Sequence, residues 1–268
     1  MNSVPHPSAP PARRAMLLET RAVVDMARMV MPLLGSQLRQ RPPQDDRRIL
    51  VIPGFGSDDR WTAPLRHYLN RLGYPAEGWG LGKNLAGVDL RHSLEDLSAN
   101  WEFSPRPNYR GEASVPYLAD RLADRVRHRH AALGVPITLI GWSLGGYLAR
   151  EVARDLPGIV DRVITLGSPT IGGPKYTAAA PFFRKRGMDL DWIETEIANR
   201  EARPIIQPIT AIYSKSDGIV RWNATIDHHS RNVRHIEVKT AHLGMAFCPT
   251  IWRHIVEALA SPGPSLDS

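Results

Sequence analysis

Along most of the chain, short blocks of consecutive apolar residues alternate with longer segments whose apolar residues recur every three or four positions. Arg48-Ile49-Leu50-Val51-Ile52-Pro53, Ile137-Thr138-Leu139-Ile140, Arg162-Val163-Ile164-Thr165-Leu166, Ile209-Thr210-Ala211-Ile212-Tyr213 and Val233-Arg234-His235-Ile236-Glu237-Val238 are blocks of the first kind. Such runs predict buried strands, and a shorter strand is read near Pro75–Trp79. A helix is predicted from about Ala63 to Leu72, with Leu65, Leu69 and Leu72 on one face and Gly73 as its stop. Further helices are predicted over Pro116–Leu133, Leu144–Asp155 and Thr250–Leu259. Residues 80–111 are rich in turn formers, with a helix near Leu94–Asn100. Strands alternating with helices predict an α/β domain with a mostly parallel central sheet and helices on both faces.

The ends read differently. Residues 1–13 are rich in Pro, Ser and Ala and are expected to be a disordered tail. Residues 14–47 are expected to form an N-terminal helix and a polar linker, Arg-Pro-Pro-Gln-Asp-Asp-Arg over 41–47. The compact domain then spans 48–260, and residues 261–268 form a Pro/Ser-rich tail. Within 14–40, Met16, Leu17, Val23, Val24, Met26 and Met29 make a helical segment apolar on more than one side, and Pro32 kinks or ends it. Glu19, Arg21, Asp25 and Arg28 interrupt it, whereas a membrane span needs about 20 nearly uninterrupted apolar residues. Packing on the domain is the plain reading of 14–40. Peripheral contact with a membrane surface is the alternative. The start lacks a basic-then-apolar layout, so a cytoplasmic protein is expected, with membrane association through 14–40 as the variant.

Composition narrows the classes. At 268 residues, 43% hydrophobic and 23% charged, the chain can bury one sizeable core. The net charge is +7 and the isoelectric point about 9.8. The cations are scattered rather than interleaved with aromatics, which argues against nucleic acid as partner. An anionic phospholipid surface stays compatible with them. The single cysteine, Cys248, excludes an intramolecular disulfide and reads as a small buried hydrophobe.

The chemistry centres on Gly141-Trp142-Ser143-Leu144-Gly145, a G-x-S-x-G pattern between a predicted strand and a predicted helix. That context suits a nucleophile elbow, where a sharp turn lifts a serine hydroxyl above the sheet edge. A structural glycine-rich turn is the plain alternative. A serine hydroxyl is a weak nucleophile and needs a base, itself oriented by a third group. Of ten histidines, His242 follows the last predicted strand and precedes the last helix. His228 and His229 sit in a polar surface segment, His67, His128 and His130 on helices, and His235 inside a strand. Asp217, after the Ile209–Tyr213 run, is the candidate acid, although Asp-Gly also suits a plain turn. Asp189, Asp191 and Glu194 do not directly follow a strand. The backbone N–H groups of Leu144 and of Phe55, in the Gly54-Phe55-Gly56 loop, are the candidate oxyanion donors.

Pro53-Gly54-Phe55-Gly56, Gly141-Trp142-Ser143-Leu144-Gly145-Gly146, Leu166-Gly167-Ser168-Pro169, Ser216-Asp217-Gly218-Ile219-Val220 and His242-Leu243-Gly244-Met245 together resemble α/β-hydrolase lipases and esterases over residues 48–260. The chain order Ser143, Asp217, His242 matches that superfamily. The resemblance implies an α/β-hydrolase fold and a lid-like insertion, here 171–205, with Arg184, Lys185 and Arg186 among its apolar residues. It also implies cleavage of a small-molecule acyl ester through an acyl-enzyme, without metal or cofactor. An acyltransferase with the same triad and a non-catalytic binding protein are the alternatives. The sequence leaves the oligomeric state open.

Overall fold

The computed structural model describes residues 4–24, 26–27, 47–85 and 110–261. Its strands are β1 (Arg48–Ile52), β2 (Ala76–Gly78), β3 (Ile137–Trp142), β4 (Val160–Leu166), β5 (Ile209–Ser214) and β6 (Val233–Val238). They form one sheet in the order β2-β1-β3-β4-β5-β6, and every pairing is parallel. The helices of this domain are α1 (Asp59–Arg71), α2 (Arg110–Leu133), α3 (Leu144–Asp155), α4 (Ala180–Lys185), α5 (Leu190–Glu201) and α6 (Pro249–Ala260).

Two-residue periodicity sorts the strand side chains between two cores. Val51, Ile140, Ile164 and Ile212 point to one face, which α1 covers with Leu65 and Leu69, and α6 with Trp252 and Ile255. Leu50, Leu139, Val163 and Ala211 point to the other, covered by Leu122 and Val126 of α2 and Leu148 and Val152 of α3. A parallel sheet needs both covers, because neither of its faces can be left in water. From β1 the chain moves outward to edge strand β2, and from β3 it moves toward the opposite edge. The helices following β1 and β3 therefore lie on opposite faces, and a crevice opens between the loops at their C-terminal ends. In open α/β sheets this reversal point is where ligands bind.

Several boundaries differ from the pattern. Helix α1 begins at Asp59, ahead of Ala63, because the Asp58 side chain accepts the Arg60 N–H at 2.9 Å and caps the first turn. Helix α2 starts at Arg110, with Pro116 inside it. The helix expected near 94–100, linker residues 41–46 and the tail beyond 261 lie outside the described residues. Residues 4–12, expected within a disordered tail, lie against the domain instead, without regular secondary structure. The Pro5 carbonyl accepts from Asn223 Nδ2 at 2.8 Å, Pro7 is buried, and the His6 ring stands edge-on to Tyr176 at 6.0 Å. Arg13–Arg21 forms a 3-10 helix, followed by helical residues at 22–24 and 26–27. The remainder of 14–40 lies outside the described residues.

Residues 171–205 contain a 3-10 turn (Gly173–Tyr176), α4 and α5. Ala180, Phe183, Met188, Ile193 and Ile197 form a third apolar cluster there, closed by Tyr147 of α3. Buried ion pairs fasten α5 to α3. Arg150 bonds Glu201 at 3.1 Å and Asp227 at 2.5 Å, and Arg154 bonds Glu201 at 2.9 Å. Arg200 pairs with Glu151. None of these charges is open to solvent at either end of the Arg150–Asp227 pair, so each depends on its partners to offset desolvation.

Candidate active site

Strand β3 runs directly into Ser143, which has φ 54° and ψ −125° and is the one non-glycine with positive φ among the described residues. Such a conformation costs on the order of 1–3 kcal/mol and persists where surrounding contacts over-determine it. Here the Ser143 N–H donates to Leu166 O at 2.8 Å, and Ser143 O accepts the Gly146 N–H at 2.9 Å. The turn is tight enough that a Cβ on Gly141 would meet Gly145 O at 2.3 Å, and one on Gly145 would meet Ile52 O at 2.5 Å. Leu144 opens α3, where the first N–H groups have no partner within the helix.

The loop after β1 is pinned from outside. Asn84, fully buried, donates from Nδ2 to Pro53 O at 2.9 Å. Its backbone accepts from Gly56 N at 2.7 Å and donates to Ser57 O at 2.8 Å. Ser57 Oγ donates to Gly54 O at 2.7 Å. Phe55, between these anchors, stands edge-on to Phe183 of α4 at 5.7 Å.

Asp217 follows β5 and uses its two oxygens differently. Oδ1 accepts the N–H groups of Ile219 and Val220 at 2.8 and 2.7 Å. Oδ2 lies 2.6 Å from His242 Nδ1. The turn-forming and imidazole-holding readings of Asp217 therefore both hold. A carboxylate can only accept, so Nδ1 carries the proton and Nε2 is left as the basic nitrogen. His242 itself is 2% exposed. Burial disfavours its charged form, but the Asp217 carboxylate outweighs burial, with Glu19 adding to it, and the imidazole is shifted upward. Trp142 Nε1 donates to His242 O at 3.2 Å, and the two rings lie 5.8 Å apart.

Gly54, Phe55, Ser143, Leu144 and His242 all border one cavity of about 190 Å³. Its inner wall is apolar, built by Tyr147, Phe183, Met188, Ile193 and Ile197. Of the residues singled out in the sequence, Phe55, Ser143, Leu144 and His242 thus meet at this cavity, and Asp217 reaches it only through His242. The competing candidates are engaged elsewhere. Asp189 caps α5 through the Asp191 and Trp192 N–H groups. Asp191 and Glu194 each hold Lys175 at 2.5 Å, and Glu194 accepts the Tyr176 hydroxyl at 2.6 Å. Burial and that carboxylate push Tyr176 up to about 12. His67, His128, His228 and His229 are exposed. His235 Nε2 accepts the Asp227 N–H at 3.0 Å, and burial shifts its ring downward.

Pattern reading missed two contributors. Asn84 lies in a turn-rich stretch without periodicity. Glu19 interrupts an apolar run, which was its one visible signal; its carboxylate reaches Gly218, His242 and Leu243. Among the described residues, no cluster of His, Cys, Asp and Glu could hold a metal ion, and no helix is long and apolar enough to cross a membrane.

No protein-family model matches the chain, and no curated protein matches it. Solved structures do match. The chain is similar to Aspergillus fumigatus lipase B at a TM-score of 0.55 and 16% identity, covering 83% of this chain and 54% of that one, so it spans about half of that lipase. It is similar to the monoacylglycerol lipase of Paleococcus ferrophilus at 0.52 and 15% identity, covering 79% of this chain and 93% of the other. A bacterial membrane phospholipase A matches at 0.51 and 15%, with 91% of each chain covered. With parallel strands in this order and neighbours of this kind, the chain has the α/β-hydrolase fold.

Proposed function

We propose that the protein is a serine hydrolase of carboxylic esters. The observation that carries this reading is the cavity that Ser143, in its strained turn, shares with the buried, Asp217-paired His242. Ser143 Oγ attacks the ester carbonyl carbon while His242 Nε2 takes the hydroxyl proton. The carbonyl oxygen becomes an oxyanion held by the Phe55 and Leu144 N–H groups. Collapse breaks the bond to the alcohol, which leaves with the proton from His242. Water, deprotonated by the same nitrogen, then attacks the acyl-enzyme; the bond to Ser143 Oγ breaks, Oγ takes the proton back from His242, and the acid is released. Asp217 holds the imidazole tautomer and offsets its transient positive charge.

The apolar inner wall suits an acyl chain. An engineered apolar cavity of about 150 Å³ holds one benzene. A cavity of about 190 Å³ therefore suits a short to medium acyl group better than a long one. Residues 171–205 supply much of that wall and act as the cover of the acyl site. Peripheral contact with an anionic lipid surface is part of the same reading. Met16 and Leu17 are 47% and 72% exposed on the segment whose Glu19 bonds Leu243 at the cavity border, and Arg14 and Arg21 beside them are exposed.

A fluorophosphonate probe tests the reading directly, because it reports an activated serine without the natural substrate. One equivalent of adduct is expected on Ser143, found by peptide mass spectrometry and lost in Ser143→Ala. A folded protein that takes up no probe, and hydrolyses no short acyl ester, would end the hydrolase reading.

A further inference from the structure

We propose that Glu19 is a positioning residue of this site, binding the Asp217 loop to the His242 loop and setting the imidazole against its acid partner. The proposal rests on the hydrolase reading above.

The geometry is specific. Glu19 Oε1 accepts the Gly218 N–H at 2.8 Å and the His242 N–H at 3.0 Å. Oε2 accepts the Leu243 N–H at 2.8 Å. Gly218 is next to Asp217 on the loop after β5, and His242 is on the loop after β6. One carboxylate thus bridges the two loops whose spacing decides the 2.6 Å contact between Asp217 Oδ2 and His242 Nδ1. Three backbone N–H groups from two loops converge on one side chain from outside the sheet domain. The seat is also shaped for this segment. A Cβ on Gly218 would lie 2.3 Å from Ala15 O and 3.0 Å from Glu19 Oε1, so a larger residue at 218 would lift the segment off.

The residue type fits the task. Three converging donors require an acceptor with two oxygens. The glutamine amide offers one oxygen, and its NH2 would face an N–H. The negative charge has a second effect. Asp217 and Glu19 are the charged groups that act on His242, and both favour the imidazolium form. That is the form the histidine passes through while holding the serine proton, so Glu19 supports the step without touching substrate.

The test uses the full-length protein and the rate of fluorophosphonate labelling at Ser143 as a function of pH, for wild type, Glu19→Gln and Glu19→Asp. Glu19→Gln is expected to lower the plateau rate about ten- to a hundredfold, the scale of misplaced catalytic groups. It should also move the acid limb to lower pH, since removing the charge makes the imidazolium less favourable. Glu19→Asp keeps the charge and loses reach, so it is expected to lower the plateau while leaving the limb near its wild-type position. A merely structural contact would lower the yield of folded protein without moving the limb. If Glu19→Gln does not fold, the plateau of Glu19→Asp decides, and a wild-type plateau there overturns the proposal. Labelling of both variants with the wild-type rate and profile overturns it while leaving the hydrolase reading intact. Absence of labelling in the wild type removes that reading and this proposal together.

Discussion

Nδ1 of His242 lies 2.6 Å from Oδ2 of Asp217, with both side chains shut off from solvent and each on a loop leaving a different strand. The raised imidazole has a definite consequence for rate. The base must be neutral to accept the serine proton, so ester hydrolysis should fall as pH drops through a value above the ordinary 6.5. Asp217→Asn should move that limb to lower pH and reduce the rate on the order of 10⁴-fold. A pH–rate profile on a soluble nitrophenyl ester checks both. For stability the sign is opposite. A raised folded pKa stabilises fully below the unfolded value and is lost as pH rises through the folded one. Asp217→Asn should therefore cost more stability at about pH 6 than at about pH 9, read from urea midpoints.

Asp227 and Arg150 make a second buried pair, at 2.5 Å. Burial alone would raise the Asp227 carboxyl, but Arg150 and the Ser230 and His229 N–H groups overcome it and hold it well below the usual carboxylate range. Its stabilisation is present above the unfolded value, about 3.9, and is lost as pH falls toward the folded one. Asp227→Ala, which leaves Arg150 with Glu201 as its remaining acid partner, should cost about 3–5 kcal/mol in urea unfolding.

Gly145→Ala tests the close approach of α3 to β1. The new Cβ would meet Ile52 O at 2.5 Å and Pro53 O at 2.6 Å, both backbone atoms leading into the Phe55 loop. A loss of about 1–3 kcal/mol or more is expected, with activity falling further than stability explains. Gly158→Ala, with nothing within 4 Å, should stay within about 0.5 kcal/mol. Thermal melting of the two variants side by side makes the comparison.

Ile197 lines the inner wall and is 5% exposed. Ile197→Phe should shorten the acyl site. The ratio of kcat/KM for acetyl over octanoyl esters is then expected to rise by about tenfold. An unchanged ratio in folded protein would move the acyl chain out of this cavity.

Leu17 is 72% exposed, so Leu17→Asp should leave stability within about 0.5 kcal/mol. It should also leave hydrolysis of dissolved esters unchanged. Co-sedimentation with phosphatidylglycerol vesicles is expected to drop. Equal sedimentation of both proteins, or none by the wild type, would rule out lipid contact through this segment.

The elements and the chain order of the chemistry were legible in local pattern alone. Buried strands and amphipathic helices follow from local periodicity, and G-x-S-x-G between Ile137–Ile140 and the Leu144 helix carries its own geometric demand. Asp217 and His242 were legible because each lies on the loop that follows a run of strand residues, and parallel strands bring such loops to one rim. Contacts that cross long separations came only with packing. Glu19 and His242 stand 223 positions apart, and Arg150 and Asp227 stand 77 apart. In sequence a charge in an apolar run, or an arginine on a helix, reads the same whether it meets water or a buried partner. The division of labour between the two Asp217 oxygens, the anchoring of the Phe55 loop by Asn84 and the 3-10 form of Arg13–Arg21 likewise depend on partners that no local window contains.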